Sequence, residues 1–256
     1  MLNYSATYTD QYQITMAEVY FLKNRHKKKA VFDYFFRKSP FNSGYTVFAG
    51  LDTLLDILEN FSFTDDDIDF LGKQNFNEDF LEFLKDYRFS GNVYSAKEGE
   101  VVFPTEPILT VEAEMLDAQL VETILLNVLN FQSLIATKAA RMRQVAGDRG
   151  LIDFGLRRAQ SAGAYHAARA AIIGGFNATS NVVAGKDFNI PVSGTMAHSL
   201  IQSYKDELTA FRHFAQIRPH DCVLLVDTYN TLKSGVPNAI KVAKEMEKKG
   251  QKLKGI

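Results

Sequence analysis

The spacing of apolar residues along this 256-residue chain changes character near Asp117, which predicts two domains, 1–117 and 118–256. In the first, residues 12–22 read as a short helix, and Lys23–Lys29, with Arg25 and His26, as a basic solvated turn. Ala30–Phe36 is aromatic and β-prone, so a strand is expected there, leading into Arg37-Lys38-Ser39-Pro40 and the Gly44 turn. Residues 45–59 and 64–88 carry helical patterning. The second of these opens on Thr64-Asp65-Asp66-Asp67, whose side chains suit an N-terminal cap better than a metal. From Phe89 to Glu114, short strands at Val93-Tyr94, Val101–Phe103 and Ile108–Ala113, punctuated by Gly91, Gly99, Pro104 and Pro107, predict a compact β-rich unit.

Asp117–Arg143 is the longest helical stretch. Its apolar residues, among them Leu120, Val121, Ile124, Leu125, Val128 and Leu129, cover more than one stripe, as expected of a helix buried on several sides. Beyond it the pattern alternates: a strand at 151–154, a helix at 163–173, strands at 177–179 and 188–192, a helix from about Ala197, a strand at 223–226, a helix at 236–249 and a final apolar pulse at 253–256. Repeated β-α-β order implies parallel strands, in a barrel or a doubly wound sheet. A barrel needs its ring of strands closed, and this sequence reaches Ile256 as a new strand begins. The expectation is a fragment, or a barrel whose missing strands come from elsewhere.

Composition narrows the function classes. Net charge is -1, from 29 Lys+Arg against 30 Asp+Glu, which supplies no basic field for nucleic acid or an anionic membrane. Cys222 is the one cysteine, which excludes a disulfide scaffold and a zinc ribbon and fits a reducing compartment. The first residues have no basic and apolar signal pattern, and no uninterrupted apolar run reaches the ~18–20 residues of a bilayer span. A soluble, unprocessed, cytoplasmic protein is expected.

In parallel α/β architectures reacting groups gather at the carboxyl ends of strands. After the strand at 151–154 come Gly155 and the pair Arg157-Arg158, planar donors suited to phosphate or carboxylate, or else surface residues that cap carbonyls. Gly174–Asn181 is a loop of small hydroxyl and amide side chains, read either as an anion-binding turn or as a tight connection. At the third strand end, Ser193-Gly194-Thr195 precedes His198, placed at the start of a helix on the rim that holds Arg157, where an imidazole can act as nucleophile or acid/base. His26, His166, His213 and His220 lack the i, i+4 spacing of a metal-binding helix, so no zinc is assigned. Asp227 follows the apolar run 223–226, positioned to orient a cation or a ribose hydroxyl, or to cap a helix.

Taken together, these residues resemble the nicotinate phosphoribosyltransferase family of type II phosphoribosyltransferases. The matching blocks are Thr9–Met16, Phe36-Arg37-Lys38, Glu98-Gly99-Glu100 with Phe103-Pro104, Asn127–Arg143, Asp153–Arg158, Gly174–Asn181, Ser193–Ser199 and Asp227–Pro237. The resemblance implies an N-terminal α+β domain followed by an incomplete parallel α/β barrel, an ATP-dependent transferase of NAD salvage, Mg2+ with ATP as cosubstrate, and a homodimer with a shared active site. It implies that His198 is phosphorylated by ATP and that Thr195 lies within reach of the nicotinate carboxylate. Phe154 would stack on one face of the pyridine and Tyr12 of a neighbouring subunit on the other. Arg157 would face phosphoribosyl pyrophosphate or product, while Arg37, Lys38 and Asp10 would reach across the dimer.

In related nicotinamide-using enzymes the position resembling Ser180 is an aspartate, which accepts from an amide. A like-charge pair a few Å apart costs on the order of kcal/mol, so an aspartate there would repel nicotinate, and serine favours the acid. Family members continue beyond this chain with further phosphate-binding loops. Two other readings follow: a nicotinamide- or quinolinate-type phosphoribosyltransferase, and a non-catalytic remnant acting as a binding module.

Overall fold

The structure is a computed structural model that describes residues 4–256. It divides into two compact units, one ending at Val192 and one spanning Ser193–Ile256. The first contains α1 (Gln11–Leu22), β1 (Lys29–Tyr34), β2 (Thr46–Val47), α2 (Leu51–Glu59), α3 (Asp65–Lys73), α4 (Glu78–Lys85), β3 (Asn92–Ser95), β4 (Val101–Val102), β5 (Leu109–Glu114), α5 (Met115–Ala146), β6 (Ile152–Asp153), α6 (Ala162–Ile173), β7 (Ala178–Thr179) and α7 (Val182–Asp187). Its class is mixed: an antiparallel sheet with helices, then helices alternating with short parallel strands.

Local signals place several elements. Thr64 caps α3 through a reciprocal box: its hydroxyl accepts from the Asp67 N–H at 3.2 Å, and the Asp67 carboxylate accepts from the Thr64 N–H at 2.8 Å. The helix expected over 64–88 breaks in two, because Asn75 takes a left-handed φ of 64° and Asn77 starts α4 with its side chain, accepting from Asp79 and Phe80. The helix expected over 45–59 yields its first residues to β2, which pairs antiparallel with β4. The segment 89–114 is not a β unit of its own. β5 lies between β1 and β3 in an antiparallel sheet, with Lys29 opposite Glu114 and Asn92 opposite Glu112.

α5 is the core of this unit. Leu116, Leu120, Val121, Ile124, Leu125, Val128 and Leu129 are buried in one cluster with Phe48, Leu54, Phe61, Phe80, Leu84 and Leu109. By length and composition α5 could cross a bilayer, but burial against these residues accounts for its apolar character. On a second face it meets α6 so closely that a Cβ at Gly174 would lie 2.4 Å from the Ala136 carbonyl oxygen. A bridged ion pair locks α6 down. Arg169 donates to both Glu98 oxygens at 2.8 and 2.5 Å and to Asp52 at 2.6 Å, while Glu98 accepts from the N–H groups of Gly50 and Leu51 at the start of α2. Burial works against the Glu98 charge, but the guanidinium and the two N–H groups outweigh it and hold the carboxyl below its usual range.

The parallel part of this unit is slight. β6 pairs with β7, Ile152 opposite Ala178 and Asp153 opposite Thr179, and Thr179 bridges in parallel to Val192. The strand expected at 188–192 reduces to that bridge, since Asn181 caps the short α7 ahead of it.

The second unit contains α8 (His198–Gln202), α9 (Glu207–Ile217) and α10 (Val236–Glu247), the last entered through a π-type turn at Thr231–Gly235. Ile201, Phe211, Cys222, Leu224, Val242 and Met246 are buried in its core. The strand expected at 223–226 survives as one parallel bridge, Val223 to Gly255.

Candidate functional site

Three of the sequence-predicted residues, Phe154, Arg157 and Ser180, follow the ends of the paired strands β6 and β7. At the end of β6, Phe154 leaves the strand with its ring 58% exposed, and Gly155–Arg157 form a single 3-10 turn that carries Leu156 and Arg157 outward. Ser180 follows β7 directly, half-buried, with its N–H donating to the Asp153 carbonyl at 2.8 Å. Phe154, Arg157 and Ser180 therefore stand on the carboxyl ends of paired parallel strands.

Two charged residues that sequence reasoning did not single out hold this ledge from opposite ends. Asp153 accepts from the Gly155 N–H at 2.8 Å through one oxygen and from the Thr179 hydroxyl at 2.9 Å through the other. Its spacing from Gly155 is that of an Asx-turn, a signal available in the sequence. Arg143, on α5, grips the opposite ends of the strands: it donates to the Gly175 carbonyl at 2.8 Å and to the Asn177 side-chain oxygen at 2.6 Å, which also accepts from the Leu151 N–H. Glu98 with Arg169 is a third missed element, and its partners are too far apart in sequence to be read as a pair.

Asp10, Tyr12, Arg37 and Lys38 lie elsewhere on the first unit. Asp10 precedes α1 and accepts from the Thr123 hydroxyl of α5 at 3.2 Å, leaving Tyr12 55% exposed on the first turn. Arg37 and Lys38 follow β1 and are exposed. Among the described residues no hydrogen bond or ion pair joins these four to Phe154, Arg157 or Ser180.

In the second unit two predicted residues, His198 and Asp227, come together. His198 opens α8, with its Nδ1 3.1 Å from the Thr228 hydroxyl and 4.0 Å from an Asp227 oxygen. The imidazole is half-exposed, and among the described residues its Nε2 has no hydrogen-bond partner in the protein. Thr195 donates to the Val223 carbonyl, the strand stub that leads to Asp227. Gly235 lies so close to that stub that a Cβ would fall 1.8 Å from the Val226 carbonyl oxygen, so α10 can start there only on a glycine. Nδ1 is engaged by the Thr228 hydroxyl, and in the tautomer that carries its proton on Nδ1 the Nε2 lone pair is free to act as a nucleophile.

Among the described residues no three His, Cys, Asp or Glu side chains gather to hold a metal.

Comparison with known proteins extends over both units. Residues 7–130 match the family model of the nicotinate phosphoribosyltransferase N-terminal domain, and residues 150–253 match the model of the nicotinate phosphoribosyltransferase family. The chain is 58% identical over 240 residues to nicotinate phosphoribosyltransferase of Bacillus subtilis, covering 93% of this chain and 49% of that protein. It is 41% identical to the Dictyostelium discoideum protein of that name, covering 97% of this chain and 49% of the relative. Among solved structures, human nicotinic acid phosphoribosyltransferase superposes with a TM-score of 0.89 at 32% identity, over 96% of this chain and 60% of that one. The nicotinate-nucleotide pyrophosphorylase of Pyrococcus furiosus superposes with a TM-score of 0.77 at 28% identity, over 95% of this chain and 55% of that one. The chain spans about half the length of the curated relatives it matches.

Proposed function

The chain belongs to the nicotinate phosphoribosyltransferase family, and from that membership we propose that its strand-end clusters serve the transfer of a phosphoribosyl group from phosphoribosyl pyrophosphate to nicotinate. The observation that carries this reading is the ledge at β6 and β7, where an exposed aromatic ring, a hydroxyl and a guanidinium stand on adjacent parallel strand ends.

In the proposed reaction the pyridine nitrogen attacks the anomeric carbon of the ribose. The carbon–oxygen bond to pyrophosphate breaks and pyrophosphate leaves with the electron pair, giving nicotinate mononucleotide. Phe154 would hold the pyridine ring by stacking, so that a weak nucleophile stays in line. Ser180 would donate towards the nicotinate carboxylate, and Arg157 would neutralise phosphate charge. Tyr12, Asp10, Arg37 and Lys38 would complete the site of a second subunit in a homodimer; a monomer by sedimentation under assay conditions would contradict this.

The His198 geometry supports an ATP-linked step. Nε2 would take the γ-phosphoryl group, releasing ADP, while the Thr228 hydroxyl accepts the Nδ1 proton and the Asp227 carboxylate 4.0 Å away offsets positive charge on the ring. Later hydrolysis of the phosphoimidazole would draw the transfer towards nucleotide. Mg2+ would arrive on the phosphates of the substrates and offset their charge there.

The test is an assay with nicotinate, phosphoribosyl pyrophosphate and ATP that follows nicotinate mononucleotide and ADP together. His198→Ala should abolish the coupling and leave a slow ATP-independent transfer, and undiminished ATP hydrolysis in that variant overturns the assignment. Nicotinamide and quinolinate serve as competing pyridines; preference for either displaces nicotinate from the reading. Nucleotide binding with no transfer would instead support the binding-module reading.

A further inference from the structure

We propose that Asp153 and Thr179 form a positioning pair that fixes the Phe154 ring relative to the Ser180 hydroxyl, an inference that rests on the proposed pyridine site at those two residues. Phe154 lies between two anchored neighbours. Asp153 is held by its pairing with Thr179, and the Gly155 N–H is held by an Asp153 carboxylate oxygen at 2.8 Å. Ser180 is likewise flanked. Its own N–H donates to the Asp153 carbonyl at 2.8 Å, the Thr179 hydroxyl before it donates to the other Asp153 carboxylate oxygen at 2.9 Å, and the Asn181 N–H after it donates to that hydroxyl at 3.1 Å. Each backbone segment that carries a pyridine-facing side chain thus ends on the same carboxylate.

The arrangement is directional. The Thr179 hydroxyl gives its one proton to Asp153 and accepts the Asn181 N–H on a lone pair, so the chain runs from Asn181 through Thr179 to Asp153 without a competing donor. Thr179 is fully buried and its N–H is taken by the Pro191 carbonyl, so the hydroxyl has no solvent to turn to. Gly155 completes the fit. A Cβ there would sit 2.9 Å from the Asp153 oxygen and push the carboxylate out of the turn. Thr179 touches neither Gly155 nor Phe154 in this network; it acts on them through the carboxylate.

That indirectness gives the test. In the full chain, amide hydrogen exchange is followed without substrate for Gly155–Arg158 and Ser180–Val182 in Thr179→Val, Thr179→Ser and Asp153→Asn. Thr179→Val should speed exchange in both segments, including the distant Gly155 N–H, while Thr179→Ser, which keeps the hydroxyl, should restore it. With transfer measured alongside, Thr179→Val should raise the KM for nicotinate roughly tenfold or more, with a smaller change in kcat, since a misplaced binding group is felt strongly in a preorganised site. A general loss of fold would lower Tm and speed exchange throughout residues 4–192, and in that case Asp153→Asn, which retains an acceptor for Gly155 but loses one for the hydroxyl, should release the 180–182 segment alone. Unchanged exchange at Gly155–Arg158 in Thr179→Val overturns the positioning pair. An unaltered protein that fails to transfer to nicotinate, with the exchange coupling intact, counts against the proposed function and leaves the pair standing.

Discussion

The β6–β7 ledge and the His198 cluster are built in contrasting ways. The ledge is clamped at both ends by buried or half-buried charge, Arg143 behind and Asp153 in front, and rests on α6, itself fixed by Arg169 on Glu98. His198 stands on a five-residue helix in a unit with a much smaller core, and its partners are a hydroxyl and an exposed carboxylate. The difference suits the proposed tasks. A ring must be received in one fixed pose, which favours preorganisation, whereas a phosphoryl acceptor must be reached from solvent and accommodate a group that comes and goes.

The largest test of this contrast removes the clamp beneath the ledge. Both side chains of the Arg169–Glu98 pair are 13% exposed, so Arg169→Met leaves the Glu98 carboxylate without its counter-cation, held only by the Gly50 and Leu51 N–H groups, and should cost about 3–5 kcal/mol. Chemical denaturation followed by exchange in residues 4–192 measures it, and a loss under 1 kcal/mol would mean that the pair carries no weight. Next comes Gly235→Ala in the second unit. The added Cβ must displace the Val226 carbonyl and should cost about 1–3 kcal/mol while moving Asp227 away from His198. Coupling of ATP hydrolysis to transfer should weaken with it; intact coupling would show that Asp227 is not needed beside the imidazole. Thr64→Ala removes a cap that shares no hydrogen bond with either cluster and should cost about 1 kcal/mol with no change in KM or coupling.

The last response is graded. Burial first, and the nearby Arg169 second, hold the His166 imidazole below its ordinary range. As pH falls through about 6.5 the unfolded chain binds that proton before the folded one, so stability of the first unit declines from there downward. Glu98, also held below its range, adds a second decline as pH falls through about 4.3. Denaturation midpoints between pH 7 and 4 should therefore fall twice, and His166→Asn should remove the first fall alone.

Elements written in contiguous residues were legible in the sequence: α1, β1, the Thr64 cap and the glycine turn after β6 all depend on near neighbours. What escaped depends on partners far along the chain. No local pattern says that β5 pairs with β1, that Glu98 meets Arg169, or that Arg143 closes on Asn177. The strand expected at 188–192 failed for a mixed reason. Its apolar residues suit a strand, but Asn181 starts a helix upstream, leaving room for a single bridge at Val192. Among the site residues, placement at strand ends was legible for Phe154 and Ser180, because turn chemistry announces where strands stop, whereas His198 opens a helix and the strand expected before Asp227 is a single bridge at Val223. The groups that hold them were not, with Asp153 the exception that a two-residue offset from a glycine could have revealed.

The β1–β5 register has a consequence for biosynthesis. As the polypeptide emerges from the ribosome, β1 has no neighbour until Leu109–Glu114 has been made, and the core stays open until α5 follows. Val31 and Phe35 are exposed even in the finished fold, so the waiting segment offers an apolar ribbon with unpaired backbone groups. Contacts between residues this far apart in sequence form late, so the closing of this edge waits on the synthesis of β5 and α5.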